Sequence, residues 1–140
     1  MALDDKEIRS LIETANAARA HAYAPYSHYP VGAALRTKSG RIYTGVNIEN
    51  AAYPTTICAE RVAVFKAVSE GERDFEVIAV VTDNGGSPCG SCRQVLAEFG
   101  LDTIVLIADG SGKLAKTMTV GELLPEAFQP RDLGVTGAVE

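Results

Sequence analysis

The sequence lacks several features that mark other classes of protein. No part of its 140 residues approaches an apolar run of about 18 residues, the length that a membrane-spanning helix needs. Basic residues are scarce: 13 Lys and Arg stand against 18 Asp and Glu, a net charge of -5 at pH 7, whereas proteins that bind nucleic acids concentrate Lys and Arg. The start, Met1 to Lys6, is acidic where a signal peptide is basic and then apolar. We therefore expect a soluble, cytoplasmic protein whose partner is a small solute, not nucleic acid or a membrane.

Histidine and cysteine, the usual ligands of transition metals, are few. The two histidines, His21 and His28, have no ligand spacing, and we interpret both as bystanders. Three cysteines are an odd number that cannot pair completely within one chain, and a reducing compartment keeps them as thiols. All three are therefore available to bind a metal.

The length and composition, 46% hydrophobic and 22% charged, suit one compact domain. We predict this domain over 1–130 and a flexible tail over 131–140, which is rich in glycine and polar residues. A loop over 23–30, with two prolines and four aromatic or imidazole rings, is expected to be ordered. The predicted helices cover 5–22, 59–70 and 91–99, and the predicted strands cover 31–35, 41–46, 77–81 and 103–107. The last two strands are continuous apolar runs, typical of strands buried on both faces.

Chemically reactive residues occur where two of the predicted helices begin. Cys58 precedes the second helix, and Cys89 and Cys92 surround the start of the third. The unpaired amides and the positive end of a helix dipole lower the pKa of a thiol there, which favours metal binding. A structural zinc site has four protein ligands, whereas a catalytic site has three and leaves one position for water, whose pKa zinc lowers to about 7. Three cysteines without a fourth ligand thus predict one open zinc site per chain.

Glu60 stands two residues after the first cysteine, close enough to reach the metal's water without binding the metal. This is the position of a general acid and base. Two alternatives exist: Cys89 and Cys92 alone also suit a redox pair, and Glu60 alone also suits an acidic residue in a first helical turn. The combination of residues 58–60 (CAE) with 88–92 (PCGSC) favours the metal site.

This combination resembles the signature of the zinc-dependent deaminases, a His or Cys followed two residues later by Glu and then by Pro-Cys-x-x-Cys. Along nearly its whole length the chain resembles the small, all-cysteine, homotetrameric class of cytidine deaminases. The matching segments are 23–27 (YAPYS), 30–34 (PVGAA), 47–51 (NIENA), 58–61 (CAER), 88–94 (PCGSCRQ) and 122–125 (ELLP). The resemblance implies an α/β protein with a three-layer α/β/α fold, a mixed five-stranded sheet and an active homotetramer.

The resemblance also implies contacts to a nucleoside. Asn47 and Glu49 correspond to a pair that binds the ribose 3'-hydroxyl. Glu60 corresponds to the residue that also holds the pyrimidine N3, and the backbone carbonyl of Ala59 to the group that receives the 4-amino group. As an alternative, Asn47 and Glu49 only shape the end of a strand.

Three further roles follow from the resemblance. Tyr29 occupies a position where the family commonly has Phe, against which the pyrimidine ring rests, and this departure leaves the local hydrogen bonding open. Phe128 corresponds to an aromatic residue that a neighbouring subunit lends to the pocket. Arg61 corresponds to a residue that donates to the ligand sulfurs, partly neutralising their negative charge. The alternatives are ordinary core or interface aromatics for Tyr29 and Phe128, and an exposed helix charge for Arg61.

The resemblance implies hydrolytic deamination of cytidine and deoxycytidine to the uridines, with release of ammonia, in pyrimidine salvage. Deamination of an aminonucleoside antibiotic such as blasticidin S would use the same metal chemistry, and Glu49, suited to a ribose hydroxyl, argues against it. A structural zinc or interaction module is the non-enzymatic alternative. Editing of a polynucleotide is disfavoured, since a chain of net charge -5 is repelled by every phosphate.

Overall fold

The computed structural model describes residues 3–135, and within them four α-helices and five β-strands follow one another along the chain. They are α1 (Asp5–Ala18), β1 (Gly32–Thr37), β2 (Ile42–Val46), α2 (Ala59–Ser69), β3 (Phe75–Thr82), α3 (Gly90–Glu98), β4 (Ile104–Asp109), β5 (Leu114–Thr119) and α4 (Val120–Leu123). Short 3-10 helices lie at Arg19–His21, Tyr53–Thr55 and Pro130–Leu133.

The strands form one mixed sheet in the order β2-β1-β3-β4-β5. β3 and β4 are parallel, and the other neighbouring pairs are antiparallel. The connection between β3 and β4 contains α3, as expected because parallel strands cannot be joined by a tight hairpin. Helix α1 covers one face of the sheet, and α2, α3 and α4 cover the other. The predicted α/β class, with three α/β/α layers and a mixed five-stranded sheet, is confirmed.

The central strands divide the apolar residues between two cores. On β3, Val77, Ala79 and Val81 pack with α1, whereas Ile78 and Val80 pack on the opposite face with α2 and α3. This division follows from the alternation of side chains along a strand. All five side chains are at most 1% exposed, which explains why an apolar run without alternation forms a strand. The predicted burial of β3 and β4 on both faces is confirmed.

The first helix is shorter than predicted. Its start is defined by a capping box in which Asp4 and Glu7 each accept a hydrogen bond from the backbone N–H of the other. α1 ends at Ala18, and a 3-10 turn over Arg19–His21 replaces its predicted continuation. Arg19 Nε donates to the carbonyl of Pro30 at 3.2 Å. The turn is therefore tied to a distant segment, a contact that apolar spacing along the chain does not reveal.

The strand β5 is not recognised from the apolar pattern, although the family resemblance implies a fifth strand. Residues 115–117 of β5 are exposed, because the strand lies at the edge of the sheet with β4 as its neighbour. Edge strands commonly carry polar and charged side chains, so they give no apolar run. A short helix, α4, follows β5 directly, and its capping box joins Thr119 and Glu122.

Within residues 3–135 both faces of the sheet are covered, and the single domain over 1–130 stays a prediction. Of the tail predicted over 131–140, the described part begins inside the 3-10 helix Pro130–Leu133. Residues 136–140 lie outside the described residues, so the flexibility of the tail stays a prediction. Between residues 3 and 135, no helix has both the length and the apolar character needed to cross a membrane.

One edge of the sheet collects the elements that carry the reactive residues. β2 and β3 end there and β1 begins there, because Gly32 pairs with both Val46 and Val81. The start of α2 lies against β2: a Cβ atom on Gly45 would be 2.2 Å from the Ala59 carbonyl oxygen, so glycine is needed for this close approach. The segment that leads to α3 follows the end of β3. Ligand sites of α/β proteins commonly lie at the carboxyl ends of strands.

Candidate active site and metal centre

The first residues of α2 and α3 bring the three cysteines together. Cys58 is the N-cap of α2, Cys89 is the N-cap of α3, and Cys92 lies in the first turn of α3. The Sγ atoms of Cys58 and Cys89 are 3.9 Å apart, those of Cys89 and Cys92 are 3.5 Å apart, and all three lie within 4.8 Å of one another. Neither N-cap thiol forms a capping hydrogen bond with a backbone N–H of its own helix, which leaves both sulfurs to face the cluster.

The cluster has the dimensions of a zinc site. Zinc binds thiolate sulfur at about 2.3 Å, and tetrahedral geometry then separates the sulfurs by about 3.8 Å. The two measured separations, 3.5 and 3.9 Å, lie on either side of this value. Three ligands leave one tetrahedral position open, which is the arrangement of a catalytic site.

A guanidinium group accompanies the thiols. Arg61 Nη2 donates to Cys58 Sγ at 3.1 Å, and this bond raises the pKa of Arg61. A hydrogen bond with Cys92 and, next in size, one from Arg61 lower the pKa of Cys58 to about 5. The hydrogen bond with Cys58, together with burial, raises the pKa of Cys92. Metal binding needs thiolates and therefore releases the protons that the thiols hold. Arg61 Nε is buried and has no hydrogen-bond partner among residues 3–135.

Glu60 lies beside the sulfur cluster. Its side chain is buried, with 4% exposed, and lines the same cavity as Cys58 and Cys89. Burial raises the pKa of Glu60 to about 7 because it removes the water that stabilises a carboxylate, and the negative charge of Cys58 adds to this effect. A carboxyl group with such a pKa can both accept and return a proton near neutral pH.

The cavity has a volume of about 220 Å³. This is smaller than the roughly 300–1,000 Å³ of pockets that hold drug-sized ligands, so it suits one small solute. Seven of the predicted site residues line it, namely Tyr29, Asn47, Glu49, Cys58, Ala59, Glu60 and Cys89. The structure therefore brings together residues from the loop over 23–30, the segment after β2, and the starts of α2 and α3.

The predicted ribose-binding residues also hold the loop over 23–30. Asn47 Nδ2 donates to the Tyr29 carbonyl and Asn47 Oδ1 accepts from Val31 N, both at 2.9 Å. Glu49 Oε1 accepts from the backbone N–H groups of Tyr26 and Ser27, each at 3.0 Å, and Glu49 Oε2 accepts from the Ser27 hydroxyl. Hydrogen bonds from the Ser27 hydroxyl and from the two N–H groups lower the pKa of Glu49, and burial, which acts in the opposite direction, offsets only part of this effect. Both side chains are therefore oriented before any ligand binds.

Two further predicted contacts to a nucleoside, those of Ala59 and Phe128, stay predictions. The Ala59 carbonyl lies against Gly45, and Ala59 lines the cavity. The N–H groups of the first helical turn are the ones left without helical partners. Phe128 is 55% exposed and does not line the cavity; its carbonyl accepts from Gln94 Nε2 at 2.9 Å.

Sequence reasoning missed a positioning role for Arg93. Its guanidinium donates to the carbonyl oxygens of Pro88 and Leu123, both at 2.8 Å, and to the Ser87 hydroxyl at 2.9 Å. These bonds attach the segment before Cys89 to α3 and to the end of α4. A cation in the first turn of a helix is electrostatically unfavourable. An arginine at this position of the sequence therefore indicates that its side chain has a specific partner.

Three thiolates that leave a metal position open, beside a buried acid in a small cavity, define a metal-dependent hydrolytic enzyme. The sequence model of the cytidine and deoxycytidylate deaminase zinc-binding region matches residues 5–108. The chain belongs to this deaminase family, and it is a zinc-dependent enzyme with one zinc ion per chain.

Individual relatives agree with this assignment. The cytidine deaminase of Sporosarcina psychrophila is 52% identical over 130 residues, 91% of this chain and 95% of that protein. The crystal structure of cytidine deaminase from Burkholderia pseudomallei has a TM-score of 0.82 at 44% identity, covering 90% of this chain and 100% of that one. The blasticidin-S deaminase of Bacillus cereus is 39% identical over 125 residues, 82% of this chain and 87% of that protein.

Proposed function

We propose that the enzyme converts cytidine and deoxycytidine to uridine and deoxyuridine by hydrolysis, with release of ammonia. The observation that carries this proposal is the buried Glu60 carboxyl, which lines one small cavity together with two members of the three-cysteine cluster. The similarity to the Sporosarcina psychrophila enzyme supports cytidine as the substrate. We further propose that the reaction serves pyrimidine salvage in the cytoplasm.

In this proposal Glu60 moves the protons. Zinc held by the three cysteines supplies the Lewis acidity that activates the attacking water. Glu60 takes a proton from that water, and protons reach N3 and the 4-amino nitrogen through the same carboxyl group. The C4–O bond forms, the C4–N bond breaks, and nitrogen leaves as ammonia. The unpaired N–H groups at the start of α2 suit an acceptor on the ring, such as the 2-carbonyl oxygen.

The proposed ribose contacts use the hydrogen-bonding capacity that the loop leaves free. Asn47 has a second N–H, and the Glu49 carboxylate has further lone pairs beyond those that bind Tyr26 and Ser27. We propose that the loop orients both side chains and that the ribose 3'-hydroxyl binds to them.

Glu49→Gln is expected to lower kcat/KM for cytidine by about tenfold to a hundredfold, the effect of losing a hydrogen bond to a charged group. The loss should be much smaller for 3'-deoxycytidine, because that substrate has no hydroxyl to bind. Steady-state kinetics on both substrates measures the difference. Ser27→Ala is the control, since it loosens the loop but keeps the carboxylate. Equal losses on both substrates for Glu49→Gln would show that Glu49 only holds the loop.

Arg61→Gln is expected to lower kcat by about tenfold to a hundredfold while the fold and zinc remain. The reason is that the bond from Arg61 to Cys58 offsets the negative charge of the thiolates, which otherwise weakens the metal as an acid. Zinc analysis and kinetics check this, with Arg61→Lys as the variant that keeps the charge. An unchanged rate for Arg61→Gln would make Arg61 irrelevant to the reaction.

We propose a homotetramer in which Phe128 completes the cavity of a neighbouring subunit. The exposed position of Phe128 supports this arrangement. Mixing inactive Glu60→Gln chains with impaired Phe128→Ala chains, after dissociation and reassembly, is expected to restore activity above that of either variant. Mixed assemblies contain cavities that have both an intact Glu60 and a neighbour's intact Phe128. Activity that only equals the weighted sum of the two variants, or a fully active monomer in sedimentation, would contradict the shared site.

Deamination of blasticidin S is the second candidate, favoured by the similarity to the Bacillus cereus enzyme. The higher identity to the Sporosarcina psychrophila enzyme and the buried, loop-bound Glu49 support cytidine. The deciding experiment measures turnover of cytidine and blasticidin S by protein of known zinc content. We expect kcat/KM to be far higher for cytidine. Turnover of blasticidin S alone would reverse the assignment, and no turnover of either by zinc-loaded protein would favour a structural zinc module.

A further inference from the structure

One hydrogen bond joins two parts of the cavity lining and has no role in the proposed proton transfers. The Tyr29 hydroxyl, on the loop over 23–30, donates to Asn84 Oδ1 at 2.7 Å. Asn84 is the second residue after β3 and begins residues 84–88, which lead to Cys89 and which we call the ligand segment. Tyr29 and two residues of the ligand segment, Gly86 and Ser87, line the cavity together.

The ligand segment is firmly held at its far end. Arg93 binds the carbonyl of Pro88 and the hydroxyl of Ser87, and Cys89 belongs to the metal site. Its near end contains two consecutive glycines, and Gly85 has a φ of +76°, so the backbone there has little intrinsic rigidity. The bond from Gly86 N to Thr82 Oγ1, at 2.7 Å, and the bond from Tyr29 to Asn84 hold this end.

Gly86, two residues after Asn84, also lies close to the Tyr29 hydroxyl. A Cβ atom at this position would lie 2.5 Å from the Tyr29 hydroxyl oxygen. The backbone of Gly86 is not in the left-handed region, so the obstacle to alanine at this position is the tyrosine hydroxyl, which would have to move, and not the backbone conformation. The hydroxyl therefore packs directly on the ligand segment as well as bonding to it.

We propose that Tyr29 is a positioning residue whose hydroxyl, bound to Asn84 and packed on Gly86, fixes the ligand segment as a preformed part of the substrate cavity. This inference rests on the proposed function and adds a requirement for tight substrate binding. If the ligand segment is already ordered in the free enzyme, substrate binding does not include the entropic cost of ordering it. Arg93 and the metal site hold Cys89 independently of Tyr29. The contact of Tyr29 with Asn84 and Gly86 therefore affects substrate binding and leaves the chemical step intact.

The test begins with Tyr29→Phe, which keeps the ring and removes the hydroxyl. KM for cytidine is expected to rise about threefold to tenfold, with kcat within about twofold of the parent, as loss of one ordinary hydrogen bond predicts. Asn84→Ala should have the same effect, and Asn84→Asp, which still accepts the bond, should restore the parental KM. A residue that only stabilises the fold would lower the melting temperature without this split between KM and kcat.

Gly86→Ala provides the independent check. In the parent it should raise KM, because the new methyl group displaces the tyrosine hydroxyl. In the Tyr29→Phe background it should add little, since the obstructing oxygen is gone. Additive effects of Tyr29→Phe and Gly86→Ala, or a KM unchanged by Tyr29→Phe, would overturn the proposal.

Hydrogen exchange separates this proposal from the proposed function, because it needs no substrate. In the zinc-loaded protein the Gly86 amide should exchange faster after Tyr29→Phe. If the exchange is faster but the parent protein does not turn over cytidine, the positioning role of Tyr29 stands and the proposed activity is refuted. If the Gly86 amide exchanges at the same rate after Tyr29→Phe in an active enzyme, only the positioning role of Tyr29 is refuted.

Discussion

Glu60→Gln is expected to lower the turnover of cytidine by about a hundredfold to ten-thousandfold, the usual contribution of general acid and base catalysis. The proposed reaction takes a proton from water and delivers protons to N3 and to the departing amine. Glu60 is the carboxyl group that the structure buries beside the thiols. Glutamine keeps the shape of the side chain but cannot carry these protons. Single-turnover and steady-state kinetics measure the loss.

The zinc content and the fold should be unchanged in this variant, because Glu60 is not a metal ligand. Glu122→Gln is a matched control: it makes the same substitution in the first turn of α4, where glutamine can also form the capping box. A folded, zinc-loaded Glu60→Gln enzyme with turnover within a few-fold of the parent would reduce Glu60 to a residue that starts a helix.

Cys92→Ser is expected to remove zinc and activity together. Cys92 is fully buried in the first turn of α3, and serine keeps nearly its size while its hydroxyl is a much poorer zinc ligand. The loss of activity should exceed the roughly tenfold to hundredfold effect of changing a group outside the ligand set. The melting temperature should also fall, because zinc no longer stabilises the native state by binding to it.

Elemental analysis, kinetics and thermal unfolding are measured on the same preparation. Ser91→Ala is the control at the adjacent, exposed position of α3 and should retain one zinc per chain. Full zinc occupancy in Cys92→Ser would show that this sulfur is not a ligand.

Local patterns in the sequence were sufficient for the features set by neighbouring residues. The apolar runs of β3 and β4 follow from burial on both faces, and the spacing of Cys58, Glu60, Cys89 and Cys92 follows from their positions at helix starts. In both cases the determining interactions lie within a few residues, so the pattern carries the information.

Other features depend on contacts between distant segments. The edge strand β5 has too little burial to show a pattern. Asn84 and Tyr29 are 55 residues apart, and no spacing rule connects them. The predicted role of the Ala59 carbonyl comes from the family resemblance, and the position of this carbonyl depends on the packing of α2 on Gly45. Residues supplied by another subunit, as proposed for Phe128, depend on an assembly that local patterns do not describe.

The central claim is that a three-cysteine zinc site catalyses deamination of cytidine, and a zinc titration tests it most directly. Metal is removed with a chelator, zinc is returned in steps, and formation of uridine and ammonia is measured at each step. We predict that activity is absent without zinc, rises in proportion to bound zinc and reaches its maximum at one ion per chain. Full activity in the zinc-free protein, or no activity at one zinc ion per chain, would contradict the claim.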